Sequence, residues 1–207
     1  MNQFVLATAN SHKAAEISEV LGGIVVLLPR PAEVPDVEET GSTLVANARL
    51  KAAALVAATG LAAIADDTGL EVDALGGAPG VYSARYAGEG ASYADNVAKL
   101  VTALSAVAGE KGRGACFRTV ALARWPDGTE LVAEGVVHGT IALAPRGKGG
   151  FGYDPVFVPD EGDGRTFAEL AEESGWAKHR LSHRGRAFGQ LATLLSAPTA
   201  AEPADGE

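Results

Sequence analysis

The sequence predicts an α/β fold: a mixed sheet with flanking helices, arranged as two lobes with the chemistry in the cleft between them. Three observations carry this reading. Residues 3–28 run strand, turn, helix, strand, the opening of a layered α/β architecture. Residues 115–124 and 130–143 read as long strands joined by Trp125-Pro126-Asp127-Gly128, and an Asp-Gly pair at that place is a hairpin signal. Helical periodicity recurs between the strand-like runs.

Each element has its own warrant. Residues 3–8 (QFVLAT) form a short apolar strand that stops at Ala9-Asn10-Ser11. The helix after it repeats Ala14, Ile17, Val20 and Leu21 at three- and four-residue spacing and ends at Gly22-Gly23. Residues 23–28 (GIVVLL) are a second strand, and residues 29–41 a Pro- and acid-rich connection. A helix over about 43–58 has Ser42 as candidate cap. Residues 61–65 read as a buried strand running into Asp66-Asp67-Thr68-Gly69, with a further strand over 70–75. A Gly-rich loop over 76–90 carries Tyr82, Arg85 and Tyr86, and Ser92-x-x-Asp95 is a capping box for a helix to about 107. A turn over 109–114 precedes the hairpin. A second Gly-rich loop, 146–154, leads to a short strand over 156–158, and Ser182 caps a final helix to about 195. Residues 1–196 are thus expected to form a single domain. Residues 197–207 (APTAAEPADGE) are acidic, Pro-containing and aperiodic, the composition of a disordered tail.

Composition narrows the function. A chain of 207 residues at 47% hydrophobic content supplies one good-sized core. Its net charge of −9 and 6% aromatic content exclude a nucleic-acid module and a membrane-surface protein, both of which need a basic face. A phosphate-bearing small ligand needs only a local patch of positive charge. The single cysteine, Cys116, excludes an intramolecular disulfide framework and a Cys-rich zinc site. It fits a reducing cytosol. The opening MNQFVLATANSHK lacks the basic and apolar regions of a signal peptide, and no apolar stretch reaches the roughly 18 residues of a membrane span. A soluble cytoplasmic protein is expected.

Chemistry-bearing residues collect where elements meet. Thr8, Asn10, Ser11 and Lys13 follow the first strand at a helix N-terminus, where free N–H groups and the dipole favour an anion. The same residues also make an ordinary capped turn. Asp66-Asp67 either shape a turn before Gly69 or hold a cation, and Glu38-Glu39 offer further carboxylates. Magnesium takes oxygen ligands of this kind together with phosphate oxygens. Residues 149–155 combine three glycines with Phe151 and Tyr153, which suits either close approach and stacking on a base or a plain turn with two core aromatics. Lys178, Ser182, His183 and Arg184 gather hydrogen-bonding groups at the start of the last helix.

Taken in order, these segments are more specific than any one of them. Thr8-x-Asn10-x-x-Lys13, Glu38-Glu39-Thr40-Gly41, Asn47-Ala48-Arg49-Leu50-Lys51-Ala52, Ala65-Asp66-Asp67-Thr68-Gly69-Leu70, the run 76–86 (GGAPGVYSARY), 149–155 (GGFGYDP) and Ser182-His183-Arg184-Gly185 follow one another along residues 3–195. The chain closely resembles the inosine triphosphate pyrophosphatase family, the Ham1-like or non-canonical purine NTP pyrophosphatases. The resemblance implies hydrolysis of dITP, ITP, dXTP and XTP to monophosphate and pyrophosphate. It also implies Mg²⁺ as cofactor and a homodimer of elongated two-lobed subunits. By the family pattern Thr8, Ala9, Asn10, Ser11, His12 and Lys13 hold the triphosphate. Asp67 binds metal and acts as the base, Glu39 is a second metal-site acid, and Thr68 contacts substrate. Phe151, Gly152, Tyr153, Asp154, Lys178, His183 and Arg184 surround the base. Lys51, Asp66 and Arg85 are expected as helpers, with Asp66 an alternative to Asp67 as base.

Donors at Lys178, His183 or Arg184 favour the 6-oxo acceptor of hypoxanthine and xanthine over adenine's amino group. Three positions depart from the family pattern. Ala46 stands where an acid often precedes the asparagine, and Cys116 and Thr119 stand where Arg and Cys are frequent. A structural role is expected for both Cys116 and Thr119. The stretch Ser174-Gly175-Trp176-Ala177-Lys178-His179 is unlike the usual acidic run, and His179 and Arg180 add local positive charge. A related pyrophosphatase with another base preference and a catalytically silent nucleotide binder are the competing readings.

Overall fold

The structure, a computed structural model, describes residues 2–107, 112–173, 178 and 181–197. The tail expected over 197–207 lies, apart from Ala197, outside the described residues, as do Ser174 to Ala177, His179 and Arg180. The elements in chain order are β1 (Gln3–Leu6), α1 (Ser11–Leu21), β2 (Val26–Leu28), α2 (Leu44–Thr59), β3 (Ala63–Val72), β4 (Pro79–Gly80), α3 (Tyr93–Ala103), β5 (Gly114–Arg124), β6 (Glu130–Ile141), β7 (Phe157–Pro159), α4 (Phe167–Glu173) and α5 (His183–Ser196). The strands form one mixed sheet in the order β2-β1-β3-β5-β6-β7, with β4 on the edge of β3. β1 runs parallel to β2 and β3, whereas β5, β6 and β7 follow antiparallel.

Local sequence accounts for most boundaries. Asn10 caps α1 by accepting from the His12 and Lys13 amides, Ser92 and Asp95 form a reciprocal capping box on α3, and Ser182 caps α5 through the Gly185 amide. Such caps satisfy amides that have no partner inside the helix. The Asp127-Gly128 turn joins β5 to β6, whose ladder runs from Arg124↔Glu130 to Gly114↔Thr140.

The structure corrects three expectations. The cap of α2 is Thr43 rather than Ser42: the Thr43 hydroxyl accepts from the Ala46 amide at 3.2 Å. Helix α4 was not expected, although Thr166 and Glu169 carry a capping box, with Thr166 N donating to Glu169 Oε2 at 2.7 Å and Glu169 N to Thr166 Oγ1 at 3.2 Å. Most consequentially, Asp66 and Asp67 lie inside a strand. β3 is continuous over ten residues, and β5 pairs with all of it from Ala63↔Arg124 to Val72↔Ala115. Gly69 is there because β4 comes close: a Cβ on it would sit 2.8 Å from the Gly80 carbonyl oxygen.

Alternation along β3 divides the core. Ile64, with Ala121 and Ala123 of β5, packs beneath α1 and α5 among Ile17, Leu21, Phe188 and Leu191. Farther along the same face, Leu70, Val72 and Phe117 pack with Leu100 of α3 and Phe167 and Leu170 of α4. The opposite face, through Ala63, Ala65, Val120 and Leu122, is covered by Ala48, Ala52 and Leu55 of α2. Each fully buried large side chain here contributes about 1.5–3 kcal/mol. Between the first two clusters the face bears Asp66, Thr68 and Thr119 in place of apolar residues. Among the described residues no helix is long and apolar enough to cross a membrane.

Candidate active site

The sheet has a gap that fixes the position of the site. β1 pairs with β3 only at Ala63 and Ile64, and β4 joins the same edge only at Leu70 and Glu71. Between them, residues 65–69 have no strand on that side. β1 and β2 end at this place while β3 runs on past it, and the carboxyl ends of parallel strands are the side on which open α/β sheets bind ligands. A cleft of about 330 Å³ opens there, lined from the end of β1 (Thr8, Ala9), from α1 (Lys13), from β3 (Asp66, Asp67, Thr68) and from α5 (His183, Arg184).

One half of the cleft alternates acids with lysines. Asp66 and Asp67 face opposite sides of the sheet. Asp66 pairs with Lys13 Nζ at 3.0 Å and with Arg184 Nε at 3.4 Å. Asp67 accepts from Lys51 Nζ at 2.9 Å and from Asn47 Nδ2 at 3.2 Å. Lys51 also donates to Glu39 at 3.0 Å, so the two carboxylates converge on one ammonium. Arg85 holds Glu39 from behind, by its Nη1 on the carboxylate at 3.3 Å and its Nη2 on the carbonyl at 3.1 Å.

These surroundings drive the two aspartates apart. Burial alone would raise both. For Asp66 the charges of Lys13, Arg184 and Lys51 overcome it and hold the carboxyl well below its usual range. For Asp67 burial prevails over Lys51, with the nearby Glu39 charge adding to it, and the carboxyl is raised. Adjacent carboxyls with opposite shifts are the pattern of divided acid–base roles.

The other half of the cleft is a buried donor cluster. Lys178 donates to Asp154 at 2.7 Å and to Glu16 at 3.1 Å, and Arg184 Nη1 meets Glu16 at 2.5 Å. Arg184 Nη2 reaches Thr68 Oγ1 at 3.2 Å. The Asp154 carboxylate also accepts from the Phe151 amide at 2.8 Å. Gly150, at φ +69°, makes this possible, because a Cβ there would lie 2.1 Å from Asp154 Oδ2. The Phe151 ring has Lys178 Nζ at 4.8 Å and the Arg184 guanidinium at 5.5 Å from its centroid, and it stacks on His12 at 5.5 Å. Tyr153 donates to the Ser83 carbonyl at 2.9 Å, which anchors the loop. His183 is buried, and burial followed by the Arg184 and Lys178 charges lowers its pKa well below the usual value, so the ring is neutral.

Most of the sequence-designated residues therefore meet in one cleft: Thr8, Ala9, Asn10, Lys13, Glu39, Lys51, Asp66, Asp67, Thr68, Phe151, Gly152, Tyr153, Asp154, Lys178, His183 and Arg184 all line it. Ser11, His12 and Arg85 do not. Ser11 begins α1 in solvent, His12 backs the Phe151 ring, and Arg85 acts through Glu39. Cys116 is outside the cleft, its thiol bonded to Glu71 and pushed up to about 11 by burial and that carboxylate, as expected. Thr119 does not line the cleft either, but it underlies it: its hydroxyl lies 2.7 Å from that of Thr68 and 2.6 Å from His183 Nδ1. Sequence reasoning also missed Glu16 and Asn47. Lys13-x-x-Glu16 is a one-turn spacing that could have signalled the former.

The donor set is compatible with a hard divalent cation. Glu39 and Asp67 present two carboxylates to a single point, now held by Lys51, and Mg²⁺ commonly takes one or two carboxylates and completes its shell with phosphate oxygens and water. Among the described residues no group of three or more His, Cys, Asp or Glu side chains that could hold a metal ion is present.

Comparison with known proteins agrees with this geometry. The sequence pattern of the Ham1 family matches residues 4–194. The chain is 46% identical over 200 residues to a dITP/XTP pyrophosphatase of Streptomyces avermitilis, covering 94% of this chain and 98% of that one. It is 50% identical over 200 residues to a dITP/XTP pyrophosphatase of Yersinia pestis, with the same coverage of 94% and 98%. The solved HAM1 protein of Coxiella burnetii superposes with a TM-score of 0.85 at 44% identity, over 95% of this chain and 99% of that one.

Proposed function

The chain belongs to the Ham1 family, and from that premise we propose that it hydrolyses non-canonical purine nucleoside triphosphates, dITP, ITP, dXTP and XTP, to the monophosphate and pyrophosphate. Clearing deaminated purines from the nucleotide pool is the corresponding role. The observation that carries the reading is the union, in one cleft, of the Glu39–Lys51–Asp67 centre with the Lys178–His183–Arg184 donor cluster. One end suits a polyanion with its metal, the other a 6-oxopurine.

Each residue then has a task. The backbone at Thr8 to Lys13 and the Lys13 ammonium receive the triphosphate, whose charge the acidic chain as a whole would repel. Asp67 and Glu39 would hold Mg²⁺, which would supply charge to polarise the phosphoryl group and make the attacking water more acidic. Asp67 takes the proton of the attacking water as its oxygen bonds to the α-phosphorus. The bond from that phosphorus to the bridging oxygen breaks, and pyrophosphate leaves. Asp66, locked between Lys13 and Arg184, is a poor base and instead fixes those cations. At the other end Phe151 stacks on the purine, and Lys178, His183 and Arg184 donate to its oxygens, an arrangement that leaves adenine's amino group unpaired at about 1–3 kcal/mol.

We take residues 1–196 as one two-lobed unit, active as a homodimer in the cytoplasm. Hydrolysis of dITP in ¹⁸O-water tests the chemistry. Label in the monophosphate alone, with turnover requiring Mg²⁺ and abolished by EDTA, is the expected result. Label in released pyrophosphate or in single phosphate would refute attack at the α-phosphorus.

A further inference from the structure

Thr68, Thr119 and Gly135 form a row across β3, β5 and β6, directly beneath the first residue of α5. Gly135 allows the helix to come this low: a Cβ there would be 2.1 Å from the His183 carbonyl oxygen and 2.4 Å from the Ala187 amide. The His183 ring is thereby brought flat against Phe117, with centroids 4.5 Å apart, and its Nδ1 against the Thr119 hydroxyl at 2.6 Å.

The direction of the hydrogen bonds can be assigned by counting protons. The Thr68 oxygen accepts from Arg184 Nη2 at 3.2 Å. Its single proton has two possible acceptors, Thr119 Oγ1 at 2.7 Å and Asp66 Oδ2 at 3.5 Å. A hydroxyl donates well only at about 2.5–3.0 Å, so the proton goes to Thr119. Thr119 then has only His183 Nδ1 left as acceptor for its own proton. A neutral imidazole has one donor and one acceptor nitrogen, so the chain Arg184→Thr68→Thr119→Nδ1 leaves the ring proton on Nε2. Among the described residues Nε2 has no partner within the protein, and His183 lines the cleft.

We propose that Thr119 is a positioning residue for base selection: its hydroxyl holds His183 in the tautomer with the proton on Nε2, so that the imidazole presents the cleft with a donor. A 6-oxopurine supplies the acceptor that this donor needs, and a 6-aminopurine confronts it with another donor. Without the hydroxyl, Nδ1 loses the bond that makes it an acceptor. The ring can then shift its proton to Nδ1 and turn an acceptor toward the cleft, which adenine's amino group satisfies. The inference rests on the reading of Lys178, His183 and Arg184 as the base site. Thr119 touches no substrate and acts only through His183.

Two measurements test it. The first is the ¹⁵N spectrum of the histidine side chains in substrate-free protein, with His183 assigned by its loss in His183→Asn. The second is the ratio of kcat/KM for ITP over ATP in wild type, Thr119→Val and Thr119→Ser. A protonated Nε2 and unprotonated Nδ1 in wild type are expected. Thr119→Val should mix the tautomers and lower the ratio about tenfold, the scale of one mispaired buried group. That fall should come partly from a gain on ATP, and Thr119→Ser should restore both properties. A wild-type ring protonated on Nδ1 would overturn the proposal, as would a Thr119→Val enzyme with an unchanged ratio. A packing defect alone would lower turnover of ITP and ATP together. If Thr119→Val does not fold, the tautomers in wild type and Thr119→Ser decide. If no nucleotide is hydrolysed at all, the function assigned to the cleft fails, while the spectrum still decides the tautomer.

Discussion

Asp66 and Asp67 are neighbours in sequence, yet their carboxylates engage different lysines on opposite faces of β3, Lys13 at 3.0 Å and Lys51 at 2.9 Å. The strand separates two acids that a turn would have set side by side. The electrostatic consequence is a division of labour between a permanently charged anchor and a more basic carboxyl.

The two positions should therefore respond differently to amidation. Asp67→Asn removes the base and should lower kcat by about 10²–10⁴-fold. Its thermal stability should barely change, because Lys51 keeps Glu39 as partner. Asp66→Asn leaves Lys13 and Arg184 short of a counter-charge in a site where Asp66 is only 3% exposed. Breaking such a buried pair costs about 3–5 kcal/mol, so this variant should melt markedly earlier. Thermal melts beside steady-state rates check both outcomes.

Glu16 joins the two cations of the donor cluster, and Glu16→Gln should weaken substrate binding and lower stability by about 3 kcal/mol, the low end for a broken buried pair, since Lys178 keeps Asp154 and Arg184 keeps Asp66. Burial would raise the Glu16 carboxyl, but Arg184 and Lys178 bring it below its ordinary 4.5. Its contribution is then complete above that value and is lost as pH falls through the folded-state pKa. Melting curves of wild type and variant should converge on acidification below about pH 4.5 and stay apart at neutral pH.

His183 gives a second pH signature. Its folded pKa lies well below 6.5, so the unfolded chain binds a proton there before the folded one does. Stability should fall by about 1.4 kcal/mol per pH unit below 6.5 from this group, until the folded ring also protonates. Urea titrations at pH 7, 6 and 5 should show this slope in wild type and a shallower one in His183→Asn.

Gly135→Ala tests the close approach of α5 to the sheet. A methyl group cannot fit against the His183 carbonyl at 2.1 Å, so the helix must lift. Such overpacking costs about 1–3 kcal/mol. Because His183 and Arg184 move with the helix start, discrimination of ITP from ATP should decline along with stability, as paired melts and kcat/KM ratios would reveal.

The sequence exposes some parts of this site and conceals others. Asn10, Ser92 and Ser182 are visible as caps because a cap is a local device, and the residues next to them, Lys13 and His183, could be placed with them. β3 was misread for a definite reason: it is buried on both faces along nearly its whole length, so no alternation marks it, and Asp-Asp-Thr-Gly imitates a turn. Glu16 was hidden because its partners lie 162 and 168 residues away, and the one-turn spacing from Lys13 is a weak local signal that surface charge pairs share. Thr119 acquires meaning only from register, which sets it opposite Thr68 and under α5. The long-range pairings, more than the residue types, convert a set of motifs into one cleft.

The most direct test is product analysis with dITP, XTP, dATP and dGTP, each with Mg²⁺. Monophosphate and pyrophosphate from dITP and XTP, with little turnover of dATP and dGTP, is the predicted result. Equal turnover of all four, or release of single phosphates, would contradict the central claim that this cleft selects deaminated purines and cuts at the α-phosphorus.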